Sequence, residues 1–431
     1  HTTPGGRASE VPAVLYKFSR AGFIDKRRKG KNMDISADLN YLRKRLADVR
    51  PRALTRFKYY DMKKGPQLRN GVVPIFLQAQ YRATMGWCAK SVDTLADRLV
   101  FRGFANDNFD MSEIFRLNNP DIFFDAAILS ALISSCCFIY ISKDEDGFPR
   151  LQVIEGTEAT GRIDPVTGLL KDGYAVLKRD GIGNPKEELF FVTGATYHLE
   201  NGKIKNTVLN NAPYPLLVPI IHRPDAVRPF GRSRISRSAI YYQEYASRTL
   251  ERSDVTAEFY SFPQKYVVGM SQDAEPLEAW KAVVSSFLQL TKDEDGDSPT
   301  LGQFSVPSMS PFTEQPRTPP SGIAGETGLT LDDLGFVSDN PSSAEAIKAS
   351  HETLRLMAEK AQRNFGTGFL NVGYLASCLR DDYPYRRNQF YLTTPKWQPA
   401  FKADAATLSL VGDGAIKLNQ AVPGYMDENT L

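Results

Sequence analysis

Gly325-Glu326-Thr327-Gly328-Leu329, followed by Leu334-Gly335-Phe336 and by Asp339-Asn340-Pro341-Ser342-Ser343-Ala344-Glu345-Ala346-Ile347, combines turn formers with a helix start. Gly335 allows a backbone turn, and Asp339-Asn340-Pro341 rejects helix because a residue before proline is pushed out of the helical region. Ser342 with Glu345 then forms a capping box that restarts a helix. The spacing of Ile347, Leu354, Met357, Ala361 and Phe365 predicts a long helix over 342–366, with Gly366 as its stop. A loop with an apolar tip at Leu334 and Phe336 should therefore separate two helices. His351 falls in the long helix, where packing or a surface hydrogen bond is its default role.

Working outward, Ile35, Leu39, Leu42, Leu46 and Val49 recur at intervals of three and four and predict an amphipathic helix that Pro51 ends. Met85, Cys88, Val92, Leu95 and Leu99 mark a second helix, and the run from Asp121 through Ile133 a third. The period then changes. Cys136–Ile141 and Leu151–Ile154 are short apolar runs flanking Asp144-Glu145-Asp146-Gly147, which reads as a β-hairpin turning at Asp146-Gly147. Strands at Tyr174–Leu177 and Leu189–Val192 and a turn at Asn201-Gly202 make 136–222 a β-rich insert in a helical frame. Helix returns from Ser236 to about Tyr260 and stops at Pro263. Residues 263–320 mix a strand at Lys265–Val268, a short helix around Glu278–Leu290 and an acidic turn.

The chain has 431 residues, of which 42% are hydrophobic and 24% charged, enough for a sizeable core in more than one module. No apolar run approaches the roughly 20 residues needed to cross a bilayer, and His1–Gly6 lacks a signal peptide's apolar region, so neither a membrane span nor secretion is expected. Cys88, Cys136, Cys137 and Cys378 form no C-x-x-C pair and have no histidine at ligand spacing, which fits a reduced intracellular environment and buried packing. Charge is uneven. Residues 1–69 hold 18 Lys/Arg against 6 Asp/Glu, or +12, whereas the other 362 hold 35 against 44, or −9. The densest cluster is Lys26-Arg27-Arg28-Lys29-Gly30-Lys31, on a basic N-terminal arm over 1–32 that either contacts a polyanion or is simply solvated. Met33 is a candidate natural start, which would make the residues before it an extension.

Several chemistries lack their residues. No G-x-x-x-x-G-K-[ST] stretch is present, so a nucleotide-driven motor is not expected in this chain. Gly325-Glu326-Thr327-Gly328 has neither a lysine nor a preceding strand. Asp293-Glu294-Asp295-Gly296-Asp297 places glycine fourth rather than sixth for a calcium loop and reads as a solvated turn. His1, His198, His222 and His351 are dispersed, and no serine or cysteine sits in a nucleophile elbow. No catalytic residue, metal or cofactor is therefore expected, although residues distant in sequence can still meet in space.

The 325–347 stretch resembles the signature of tailed-bacteriophage portal proteins, in which a stem helix leads into a tunnel-facing loop and then a long helix. Arg228-Pro229-Phe230-Gly231-Arg232-Ser233 resembles that family's approach to its first stem helix, and Lys396-Trp397-Gln398-Pro399 with Asp404-Ala405-Ala406 its late strand and crown entry. The likeness spans about 34–431. It implies an α+β portal-type fold with an α/β wing, a helical stem, a small α/β clip and a short helical crown, assembled as a dodecameric ring. By order along the chain the wing is 33–237 and 334–400, stem helix one 238–262, the clip 263–315, stem helix two 316–333 and the crown 401–431. Pro316, Pro319 and Pro320 should delay or kink the second stem helix, and the crown is short, either reduced or truncated.

The resemblance further implies a structural role at the capsid's portal vertex in packaging and ejection, with host cytoplasm as the place of assembly. Its implied partners are further copies of itself, double-stranded DNA met without sequence specificity, the major capsid protein, terminase and head-tail adaptor proteins, with no membrane. Leu334, Gly335, Phe336, Val337, Ser338, Asp339 and Asn340 would form the tunnel loop. Arg232, Arg234, Arg237, Arg248 and Arg252 would touch DNA or an adjacent subunit, with Glu244 and Glu251 as pairing partners. Two other readings stay open: a metal-dependent nuclease using Asp381 and Asp382, and another minor head protein.

Overall fold

The computed structural model describes residues 35–63, 83–261, 265–268, 300–303, 318–336, 349–401 and 405–423. Helix α1 (Ile35–Tyr60) carries the expected apolar stripe: Leu39, Leu42 and Leu46 are buried, with Ile35 and Val49 partly so. Pro51 does not end it. Helix continues for nine more residues although proline removes one backbone donor. The two halves bury into different cores, and tertiary packing carries the helix across the defect. The first half lies on Tyr174, Val176, Phe190 and Leu199, while Tyr59 enters the main core.

The sheet under α1 is antiparallel, ordered β4 (Ala159–Ile163), β5 (Leu170–Arg179), β6 (Pro185–Val192), β7 (Ala195–Glu200) and β8 (Lys203–Leu209). Its β7–β8 turn is the predicted one, since Asn201 and Gly202 both take positive φ, 48° and 78°. Charge locks helix to sheet: Arg43 Nε and Nη2 donate to the two Glu188 carboxylate oxygens at 2.9 and 2.7 Å, and Arg50 donates to Glu158.

The second sheet, ordered β3 (Pro149–Glu155), β2 (Cys136–Lys143) and β9 (Leu217–Ile221), contains the hairpin expected at Gly147, whose φ is 80°. Helices α2 (Trp87–Ala96), α3 (Met111–Arg116) and α4 (Pro120–Ser134) pack around it. Met85 and Leu99, expected in the second helix, flank α2 instead. Strand β1 (Phe101–Ala105) pairs antiparallel with β12 (Thr394–Trp397), where Phe101, Phe124, Phe369 and Trp397 meet with ring centroids 4.5–6.2 Å apart.

Helix α5 (Arg237–Ser261) matches expectation, as does the strand β10 (Lys265–Val268), which pairs with β11 (Thr300–Gln303). The predicted helix at 278–290 and the 293–297 turn lie outside the described residues, as do Pro263, the Ser342/Glu345 capping box and Pro316. Helix α6 (Thr318–Thr327) places Pro319 and Pro320 in its first described turn, where a missing donor costs little, and helix continues through both. It is shorter than the expected 316–333 rod. Helix α8 (Ala405–Ala421) follows late in the chain. Among the described residues no helix is long and apolar enough to cross a membrane.

The long helix, α7 (Glu352–Arg380), corrects the sequence reading most. Gly366 is not its stop, because helix runs fourteen residues further. From Phe365 to Leu379 all residues but Thr367 are buried, and at Gly366 a Cβ would stand 2.9 Å from two Pro395 carbons. The glycine is there for close approach to β12. His351, placed inside the helix by pattern, is its N-cap. We expect Gly366→Ala to cost about 1–3 kcal/mol through overpacking, read as a lower thermal or chemical unfolding midpoint; an unchanged midpoint would contradict this packing.

Candidate functional site

The turn after β9 and the entry to α5 decide the local geometry. Gly231 takes φ 72°, and a Cβ there would lie 2.1 Å from the His222 carbonyl, so only glycine fits. Arg232 N–H donates to that carbonyl at 2.9 Å, and Arg234 N–H to the Leu132 carbonyl at 2.8 Å. The chain is thereby turned so that Arg234 points inward.

Arg234 is 5% exposed, so most of its side chain is spent on its own subunit. Its Nε donates to the Ser91 carbonyl at 3.0 Å, its Nη2 to the Thr327 carbonyl, and its Nη1 reaches Met357 Sδ at 3.1 Å. One side chain therefore joins α2, the end of α6 and the start of α7. Burial, then the nearby Arg223, push its pKa down to about 10, while Glu326 acts the other way. The other arginines are placed differently. Arg232 pairs with Asp225 at 2.7 Å, and Arg248 stands 3.8 Å from Glu244, which also accepts from the Tyr59 hydroxyl. Arg237 and Arg252 are exposed on α5. With Tyr241, Tyr245 and Arg248 they follow helical spacing along one stripe, and the two tyrosine rings lie 6.3 Å apart and nearly parallel. Sequence reasoning named the arginines and missed the tyrosines, although a count by turns along 237–252 would have found them.

The break between helices is built locally. Gly328, with φ 68°, closes α6 by donating to the Ala324 carbonyl at 2.8 Å. Thr330 and Asp333 exchange hydrogen bonds of 2.9 and 3.1 Å around the short 3-10 turn Asp332–Leu334, and Gly335 reverses the chain at φ 88°. Leu334 is buried in the main core, and Phe336 leans on Trp87 with ring centroids 6.2 Å apart. Leu334 thus faces its own subunit, while Phe336 leans on α2 and stays exposed. Val337, Ser338, Asp339 and Asn340 lie outside the described residues, as do Lys26, Arg27, Arg28, Lys29 and Lys31.

Enzyme-like arrangements do not assemble from these parts. Gly325 and Glu326 form the last turn of α6, the carbonyl end of a helix and so the wrong pole for phosphate. Asp381 accepts from Arg380 at 2.8 Å and from Tyr385, while Asp382 accepts from Asn211 at 2.9 Å, so the adjacent carboxylates serve different partners. No group of three or more His, Cys, Asp or Glu among the described residues is placed to hold a metal. Burial raises the thiol pKa of Cys88, Cys136 and Cys378 to about 12, which keeps them protonated and poorly nucleophilic.

No family model matches the chain. Two curated relatives named Portal protein do: that of Mycobacterium phage D29 is 25% identical over 383 residues, and that of Mycobacterium phage L5 is 26% identical over 384. Each alignment covers 83% of this chain and 78% of the relative. The chain is similar to phage portal proteins. The portal resemblance seen in the sequence is thus borne out across most of its length. Among solved structures, a chain of "Virion of native gene transfer agent (GTA) particle" aligns at 13% identity with a TM-score of 0.44, covering 85% of this chain and 93% of that one. A chain of "Neck of native GTA particle computed with C12 symmetry" aligns at 14% identity with the same TM-score, covering 86% and 96%.

One group beside Arg234 titrates unusually. Burial pushes the His222 pKa from 6.5 down to about 3, although its Nδ1 pairs with the Arg232 carbonyl; Arg234 and Arg223 add to the lowering. Between those two values the unfolded chain takes up a proton that the folded chain excludes. Stability is therefore intact above pH 6.5 and falls as pH drops towards 3, by about 1.4 kcal/mol per unit. His222→Asn, which keeps a donor for the Arg232 carbonyl, should flatten that acid dependence in equilibrium unfolding; an unchanged slope would refute the assignment.

Proposed function

We propose that this chain is a structural portal subunit of a phage-type virion, and its similarity to two portal proteins over 83% of its length carries the reading. Copies form a dodecameric ring through head-to-tail contacts that close on themselves. In that ring 33–237 and 334–400 make the wing, 238–262 and 316–333 the two stem helices, 263–315 the clip and 401–431 a short crown, with 1–32 as a basic arm. Three features support these divisions: the packing of α6 on Tyr242 of α5 at Gly322, the isolated β10–β11 pair between those helices, and the glycine-bounded break after α6.

The ring conducts double-stranded DNA in packaging and ejection and reads no bases. Each phosphate paired with a cation adds salt-dependent affinity that would slow translocation, and the net −9 of residues 70–431 suits a weakly binding conduit. Gly335, Phe336 and 337–340 form the tunnel loop, which Leu334 roots in the core. On α5, Arg237 and Arg252 are the arginines best placed to meet DNA or the adjacent subunit. The clip docks terminase and later the head-tail adaptors, and the wing meets the major capsid protein at the portal vertex. Assembly occurs in host cytoplasm. The chain works by geometry rather than bond chemistry, with the packaging ATPase on another polypeptide.

Electron microscopy and native mass spectrometry of the purified full chain should show closed rings of twelve copies. Finding only monomers or dimers under every condition, and in the particle as well, would overturn the proposal.

A further inference from the structure

Between the turn after β9 and the first turns of α7 lies a cleft of about 220 Å³. His222, Arg234 and Met357 form its floor, and the exposed Arg223 and Lys360 stand at its rim. Thr353 and Leu356 complete the α7 side. Three cationic side chains thus line one cavity, and no Asp or Glu is among its lining residues.

Several arginines elsewhere are matched to acids. Arg43, Arg50, Arg162, Arg179 and Arg232 each pair with a carboxylate of their own chain. Among the described residues, Arg223, Arg234 and Lys360 make no such pair. Arg234 is the sharpest case, because its Nη1 meets only a thioether, a weak acceptor, and Glu326, which acts on it electrostatically, makes no ion pair with it. A buried cation without a counter-charge is costly, and the neighbouring Arg223 raises that cost. Arg223 is moreover held at φ 50°, a conformation that a residue with a Cβ adopts only under constraint from its surroundings.

We propose that this cleft is a socket for a carboxylate side chain of a second copy of this chain, held by Arg223, Arg234 and Lys360. The inference deepens the portal reading and rests on it. Leu356 and Met357 give the socket an apolar wall, which suits the methylenes of an Asp or Glu and offers nothing to a phosphodiester. Guanidinium groups match carboxylates in a planar, two-bonded fork. Residues 70–431 carry 44 acidic against 35 basic side chains, so a neighbouring copy has carboxylates to spare. A closed ring sets a different face of the neighbour against each subunit, which allows a cationic socket on one face and its carboxylate on the other.

The test assembles full-length rings from mixed light and nitrogen-15-labelled copies and treats them with a water-soluble carbodiimide. The reagent takes up the water lost as the Lys360 amine and a carboxylate form an amide. Mixed-isotope cross-linked peptides containing Lys360 are expected from rings and not from separated subunits. Arg223→Glu with Lys360→Glu, both exposed positions, should reduce ring formation about tenfold or more at matched salt. Links confined to one copy, no link at Lys360, or wild-type assembly of the double variant would overturn the socket while leaving the ring intact. Shielding of Lys360 from acetylation by duplex DNA, and not by assembly, would overturn it in favour of a phosphate. Absence of rings in the wild-type protein would bring down the portal reading and the socket together.

Discussion

The second half of α7 must be packed on every side, and the rest of the main domain is arranged to meet that demand. From Phe365 to Leu379 the helix runs through the core, against β9, β12 and α3, with small residues wherever a neighbour comes close. Gly368 admits Ile220 and Gly373 admits Met111 in the same way that Gly366 admits Pro395. Apolar burial at about 25 cal/mol per Å² makes such a helix the dominant stabilising element of its layer. Its first half, with only Leu354, Ala358 and Ala361 buried, is ordinary surface helix and is free to form a cleft with the β9 turn.

Charge has two distinct tasks in this molecule. Along α1, arginines reach across to Glu188, Glu158 and, through Arg162, Asp38 and Asp172, fixing a helix against the five-stranded sheet. At the centre, Arg234 instead donates to two backbone carbonyls, one of them at a helix end. Thr327 lies at the end of α6, where backbone acceptors lack intrahelical donors, so a buried guanidinium there does the work usually left to water. The junction of α2, α6 and α7 is consequently rigid at its base even though the segment above it turns sharply through Gly328 and Gly335.

For the proposed conduit this division would be useful. In the proposed ring the loop that would reach the axis is rooted through Leu334 and Phe336 in its own subunit, so contact with a passing polymer would leave the packing beneath undisturbed. A stripe of arginine and tyrosine on α5 and a weakly acidic body offer contact without tight retention.

Elements whose identity depends on local periodicity were legible in the sequence. The stripe of α1, the hairpins at Gly147 and Asn201-Gly202, the extent of α5 and the turn at Gly335 all follow from side-chain spacing and from backbone angles that few residues adopt. The portal resemblance was legible too, because it lies in the order of such elements. What spacing could not decide was where a helix stops when distant residues hold it: Pro51 and Gly366 read as terminators, and packing from two cores and from Pro395 carried both helices through. Nor could it separate a buried arginine from an exposed one, since Arg232, Arg234 and Arg237 look alike in one dimension. Only the folded chain, by bringing the Ser91 and Thr327 carbonyls to Arg234 and leaving Arg223 and Lys360 beside an open cleft, assigned each cation its partner or left it without one.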